Sequence, residues 1–231
     1  MPTYFTEEEI KNIYKNIRLP NEYFTKYSPF PQCPVKAWNY SWQNFDFPRC
    51  WAILDFKEWI NKYDLMNVDV LGYTDKNDPE LEFVDAKEKI FISYPPNDLH
   101  TFSTNYKEVF NFFIFNQTIE HLYNPFLAIE EIHKALKPGG YVFTSVPTLN
   151  IPHNTPIHYN GYNPMGLAIL FLSSDFEILE MGQWGNNEYI TRLFRYHDWP
   201  GYNSLKDSDS IYNEEVNVCQ CWILARKKKA I

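Results

Sequence analysis

From residue 51 onward the chain alternates short apolar runs with stretches of helical periodicity, and this alternation constrains the fold more than any other feature. Val68–Leu71, Ile90–Ile92 and Val109–Phe115 are short and rich in β-branched and aromatic residues. Such runs suit strands covered on both faces, as in a parallel sheet. The clearest helix follows the third run: Asn124 can cap it, Pro125 suits its first turn, and Ala128, Ile129, Ile132, Ala135 and Leu136 share one face. Lys137-Pro138-Gly139-Gly140 stops it, and Tyr141–Val146 reads as the next strand. A second helix starts at Asn163-Pro164 and runs through Phe171, with Phe176–Met181 and Cys219–Ala225 as the last two strands. The pattern predicts an α/β domain over residues 51–231, built from βαβ units with helices on both faces of the sheet.

Residues 1–50 differ in texture. An acidic helix is expected over Thr6–Ile17, followed by a Pro- and aromatic-rich stretch, Leu19–Pro48, that needs a surface to bury against. These residues read as a cap on the main domain. A second addition, about 185–215, carries Trp199-Pro200-Gly201-Tyr202 and is expected to form a lid or edge decoration. With 18% aromatic residues the chain can fill a large core and still offer a stacking surface to a flat or sugar-like ligand.

The net charge of −8 argues against a broad grip on a nucleic-acid backbone, and the basic run Arg226–Lys229 reads as a solvated tail. No stretch approaches the roughly 18 consecutive apolar residues of a membrane span, and the first residues lack the pattern of a secretory signal. Cys33, Cys50, Cys219 and Cys221 have no metal-site or disulfide spacing, and read as reduced packing residues. A cytoplasmic protein is expected, with no nucleic-acid or membrane partner.

Three motifs in order carry a resemblance. Phe115-Asn116-Gln117-Thr118-Ile119-Glu120-His121-Leu122-Tyr123-Asn124-Pro125 joins a strand end, a Glu-His pair and a helix start; Leu136-Lys137-Pro138-Gly139-Gly140 follows; Ser145-Val146-Pro147 closes the next strand. Together they resemble the fourth- and fifth-strand region of type 11 class I S-adenosylmethionine-dependent methyltransferases. His153-Asn154-Thr155-Pro156-Ile157-His158-Tyr159, followed by Tyr162–Leu167, is similar to a loop found in methyltransferases of sugar and surface-polysaccharide pathways, with His158 where those carry Asp. Lys36–Trp42 is similar to a lead-in segment of some relatives. The resemblance spans residues 36–190. It implies a Rossmann-like methyltransferase fold, mostly parallel with an antiparallel last strand, and S-adenosylmethionine as cofactor.

The departure lies in the cofactor loop. The family's first strand ends in an acidic residue followed by Gly-x-Gly-x-Gly, which lets the cofactor approach the backbone closely. The eight glycines of this chain nowhere form that pattern. Two alignments are open. In one, Val68–Gly72 is the first strand and Gly72 the surviving loop glycine. In the other, Trp51–Phe56 is first, Val68–Gly72 is second, and Asp75 is the ribose-binding acid. The first is preferred, because Trp51–Phe56 leads into a helical pattern with no turn residue between.

Ligands of open α/β sheets sit beyond the carboxyl ends of the strands. The resemblance implies Gly72, Tyr94, Asp98, Asn116 and Gln117 as cofactor-binding residues, with Asp98 at the adenine amino group. His121, His153 and His158 are the candidate catalytic bases, because imidazole titrates near neutrality. His100 and His133 read as packing or surface residues. Tyr159, Tyr162 and Trp184 are a possible acceptor-side wall, with core packing as the other use. The His153–His158 spacing suggests a metal pair, but no third ligand stands nearby in sequence, so no metal is expected. The function implied is O-methylation of a small polar acceptor, a sugar hydroxyl on a glycan or nucleotide sugar. The alternatives are a catalytically inactive methyltransferase-like binding or scaffolding protein, motivated by the missing glycines, and an enzyme using another nucleotide in the same crevice. Oligomeric state is not legible in the sequence.

Overall fold

The computed structural model describes residues 6–8, 11, 17–18, 45–153, 157–205 and 212–229. Glu7, Glu8 and Lys11 are helical, in line with the first expected helix. Most of the Leu19–Pro48 stretch lies outside the described residues, including Cys33 and the Lys36–Trp42 motif.

The described strands form one seven-stranded sheet. In chain order they are β1 (Ile17–Arg18), β2 (Asn67–Tyr73), β3 (Asp85–Phe91), β4 (Phe110–Ile114), β5 (Leu136–Pro147), β6 (Phe176–Trp184) and β7 (Gln220–Lys227). Their spatial order is β1-β6-β7-β5-β4-β2-β3. β7 runs antiparallel to both its neighbours, and every other pair is parallel. The expected Rossmann-like sheet with an antiparallel last strand is therefore present, and each strand read from the sequence falls on an observed one. Helix α1 (Phe47–Lys62) covers one face. On the other lie α2 (Ser103–Tyr106), α3 (Pro125–Ala135) and α4 (Pro164–Leu172). Among the described residues no helix is long and apolar enough to cross a membrane.

Helix starts follow the sequence signals. Asn124 Oδ1 accepts from the Leu127 amide and Asn163 Oδ1 from the Gly166 amide, each followed by proline in the first turn. These caps place α3 and α4 directly after the two loops that border the strand tips.

Trp51–Phe56 lies inside α1, which removes the alignment that made it the first strand. The consequence reaches the site. Parallel strands joined edge to edge usually carry a crossover helix between them, yet residues 74–84 between β2 and β3 contain only a short 3-10 turn, Pro79–Glu82. The face such a helix would cover is filled instead by α1, which precedes β2. Phe56 stacks on Phe112 with centroids 6.0 Å apart and meets Phe143 edge-on at 4.7 Å. Buried Trp222 donates its indole N–H to Asp55 of the same helix at 2.9 Å. α1 begins at Phe47, so it runs across the boundary read at residue 50.

The 185–215 addition contributes α5 (Asn187–Tyr196) and α6 (Tyr202–Leu205). Tyr189 and Leu193 of α5 are buried with Trp184, which meets Phe47 and Tyr189 edge-on. Trp184 is thus core. The three described cysteines, Cys50, Cys219 and Cys221, are buried, and burial raises each thiol above its ordinary range.

Candidate active site

The carboxyl ends of β2, β3, β4 and β5 open onto a crevice with two compartments. The larger, about 610 Å³, is bordered by Asp46, Arg49, Asp75, Asp78, His153 and Trp199, among others. The smaller, about 390 Å³, is more enclosed by rings and aliphatic groups, including Phe91, Ile92, Tyr94, Leu99, Leu122 and Tyr159. Thr74, Gln117 and Thr118 border both, so the compartments meet at the tips of β2 and β4. Each volume falls in the range of about 300–1,000 Å³ usual for small-molecule sites.

Gly72 lines neither compartment. A Cβ there would lie 2.5 Å from the Phe113 ring and 2.6 Å from that of Phe110. Its smallness serves ring packing beneath the sheet, which differs from the reason expected of a cofactor-loop glycine. Thr74, two residues on, is the β2-tip residue that borders the crevice, with its hydroxyl 3.3 Å from that of Thr118.

Asn116 lines the larger compartment, and its amide is bonded within the protein. Its Oδ1 accepts from the Ser145 amide at 2.9 Å and hydroxyl at 3.1 Å, and its Nδ2 donates to Asp78 at 3.1 Å. It ties β4 to β5 and to the loop after β2, where a cofactor was expected to satisfy it. Gln117 has φ +48, a left-handed conformation rare for a residue with a side chain. Its amide donates to Ser145 O at 2.8 Å and its Nε2 to Ser145 Oγ at 3.1 Å, which hold it there. Residues held in such conformations cluster at functional sites.

Asp98 and Tyr94 line the smaller compartment. Asp98 Oδ1 caps the turn Leu99–Thr101, accepting from the His100 amide at 2.9 Å and from His100 Nδ1 at 2.6 Å. Burial alone would raise its carboxyl, but the hydrogen bonds from His100 outweigh this and hold it below the usual range. An ionised acceptor therefore stands on the compartment wall. His100 is a packing residue: its Nε2 accepts from the Asn124 amide at 3.3 Å, and its ring stacks on Tyr123 at 3.9 Å.

The larger compartment has a buried charge network at its floor. Arg49, at the start of α1, forms ion pairs with Glu80 and, at 3.0 Å, with Asp78. All three are nearly inaccessible. Arg49 is a site residue that sequence reasoning missed. Its one signal was a charge at the head of an apolar run. Asp75 follows β2 and accepts from the Asn77 amide at 2.8 Å, making a local turn. β3, which now stands as the second strand of the motif, ends in Phe91-Ile92-Ser93 without an acid.

The three histidines proposed as bases come together. His121 Nε2 lies 3.2 Å from His153 Nε2, and His158 Nδ1 lies 3.3 Å from His153 Nδ1. Burial is the first cause that lowers the His121 and His158 pKa values, and the neighbouring imidazoles add to it. His153 borders the larger compartment and His121 the smaller, so the cluster stands where the two meet. Trp199 faces His153 edge-on with centroids 6.4 Å apart and donates to Asn150 at 2.7 Å. This places part of the 185–215 addition over the crevice. Of the expected aromatic wall, Tyr159 borders the smaller compartment, while Tyr162 is half-buried and its carbonyl accepts from Thr148 Oγ1 at 2.6 Å.

Comparison with known proteins agrees with this architecture. No curated protein gives a significant sequence match. Among solved structures, the 1,6-didemethyltoxoflavin N1-methyltransferase of Burkholderia thailandensis, with 1,6-didemethyltoxoflavin and S-adenosylhomocysteine bound, is 12% identical. It aligns over 99% of this chain and 94% of its own, with a TM-score of 0.50. A SAM-dependent methyltransferase from Archaeoglobus fulgidus is 12% identical over 76% of this chain and 94% of its own, TM-score 0.43. One from Methanosarcina mazei is 11% identical over 74% and 98%, TM-score 0.45. At such identities the likeness is one of fold. The family model described as a methyltransferase domain matches residues 25–195, and the chain belongs to that family.

Proposed function

We propose that this chain is an S-adenosylmethionine-dependent methyltransferase whose acceptor is a small polar molecule, a sugar hydroxyl foremost. The observation that carries the proposal is the paired crevice: a ring-lined compartment with an ionised carboxylate, joined at the strand tips to a polar one bordered by imidazole. The residues fit the cofactor in this arrangement. The smaller compartment suits a nucleoside, with Asp98 accepting from an exocyclic amine and Tyr94, Leu99 and Leu122 flanking the base. Thr74, Gln117 and Thr118 replace the glycine-rich turn with side-chain hydroxyl and amide groups at the junction. Asn116 holds that junction rigid through Ser145 and Asp78.

S-adenosylmethionine supplies, when bound, a methyl group on a positively charged sulfur. What remains for the protein is to align the acceptor and receive its proton. His153 borders the acceptor compartment, with His121 and His158 behind it, and the cluster is the group placed to receive that proton. Trp199 offers a ring for a sugar face to pack against, and Asn150 beside it offers polar contact. A cytoplasmic setting and a glycan or nucleotide-sugar acceptor belong to the same proposal.

Calorimetric titration with S-adenosylhomocysteine tests it. Binding by the wild type is expected to weaken about ten- to a hundredfold in Asp98→Asn, the cost of losing a charged acceptor. No heat at millimolar ligand, in protein that still melts cooperatively, would leave the inactive scaffold as the better account.

A further inference from the structure

His121 and His153 present an arrangement that imidazoles alone do not favour. His121 Nδ1 lies 2.9 Å from the Ile157 carbonyl oxygen, and His153 Nδ1 lies 3.0 Å from that of Ile151. A carbonyl oxygen only accepts, so each Nδ1 carries the proton and each neutral ring keeps a bare lone pair on Nε2. Those two Nε2 atoms face each other at 3.2 Å. Beside them stands Glu120, wholly inaccessible, with neither carboxylate oxygen bonded to any described residue. Its Oε1 is 3.8 Å from His121 Nε2, and the three donor atoms lie within 4.8 Å of one another. Two lone pairs and a buried, unpartnered carboxylate converge on one point. The convergence is a ready environment for a cation.

We infer that Glu120, His121 and His153 form a binding site for a divalent transition ion of the zinc type. The spacing suits the ion. Tetrahedral coordination with bonds of about 2.0–2.1 Å puts neighbouring ligand atoms about 3.3–3.4 Å apart, close to the observed Nε2 separation. Two imidazoles and one carboxylate also match the donor set of catalytic zinc centres that keep a fourth position open. The carbonyls of Ile151 and Ile157 are the outer partners that fix each tautomer, and His158 Nδ1 at 3.3 Å from His153 Nδ1 supports the second ring from behind. A lone His153–His158 pair lacks a third ligand in sequence. The fold instead brings Glu120 and His121, from the 3-10 turn after β4, to His153.

The site stands on these side chains alone, while its use in holding an acceptor oxygen rests on the function proposed above; an ion there takes the Nε2 lone pairs of His121 and His153 and leaves His158 as the imidazole of the cluster that receives the acceptor's proton. The test uses the full chain after chelator treatment. Zinc titrated calorimetrically is expected to bind one ion per chain, and cobalt in its place to give visible d–d absorption. His153→Ala and Glu120→Gln are expected to weaken zinc binding by at least the ten- to hundredfold that loss of an outer-shell partner costs. Glu120→Gln keeps the shape and polarity of the side chain, so it retains the fold. His133→Ala, against Phe176 on another part of the molecule, should leave zinc binding unchanged. No zinc uptake by folded wild type, or equal uptake by both ligand variants, overturns the site. S-adenosylhomocysteine binding without zinc uptake refutes the site alone. Zinc uptake without S-adenosylhomocysteine binding supports the site and counts against the methyltransferase proposal.

Discussion

Gly72 shows how a residue can match a motif and serve a different physical purpose. Its absent side chain leaves room for Phe110 and Phe113, so the constraint comes from the core. Gly72→Ala is expected to destabilise the fold by about 1–3 kcal/mol, the usual cost of overpacking, as measured by urea denaturation. Nucleotide affinity of the folded fraction should stay unchanged, because Gly72 borders neither compartment. Asp98 is the opposite case. It was named through the resemblance, and its hydrogen bonds from His100 keep it ionised at the compartment wall. Asn116 was named through the resemblance, at the end of a buried strand. Which partners it takes depends on Ser145 and Asp78, and no spacing rule places those beside it.

Among the elements, α1 carries the largest burden. It fills the face that a crossover helix between β2 and β3 would cover, and its Phe56 lies fully buried between Phe112 and Phe143. Phe56→Ala is expected to cost about 3–5 kcal/mol in chemical denaturation, the range for large-to-small changes at a collapsed aromatic site. At the start of α3, Asn124→Ala removes a cap bonded to the Leu127 amide and should cost about 1 kcal/mol in the same measurement. The loss is expected to be small because Pro125 still presets the first turn. α3 and α4 were legible because cap, proline and apolar residues agree locally. α1 was obscured, since Trp51–Leu54 is a continuous apolar run and period alone does not separate a buried helix from a buried strand.

At the scale of the whole molecule, the Arg49–Asp78–Glu80 network joins the start of α1 to the loop after β2. It holds two carboxyl groups and one guanidinium away from water. Burial first, and the Glu80 charge second, push Asp78 up from 3.8 to about 7 against the pull of Arg49. The folded protein therefore keeps a proton that the unfolded chain releases near pH 4. Stability from this group is fully present below that pH and is lost as pH rises toward 7. Urea midpoints should fall between pH 5 and 7.5 in the wild type, and the fall should be smaller in Asp78→Asn. An equal fall in both would remove Asp78 as the cause. The order of strands and helices, the helix caps and the histidine-bearing loops were determined by the sequence itself, because apolar period, proline and capping side chains act over a few neighbouring residues. What met across the strand tips was decided by the tertiary structure alone. Glu120 and His121 come from the 3-10 turn that follows β4, His153 from the loop after β5, Arg49 from α1 and Asp78 from the turn after β2, and their approach follows from strand order and helix packing rather than from distance along the chain.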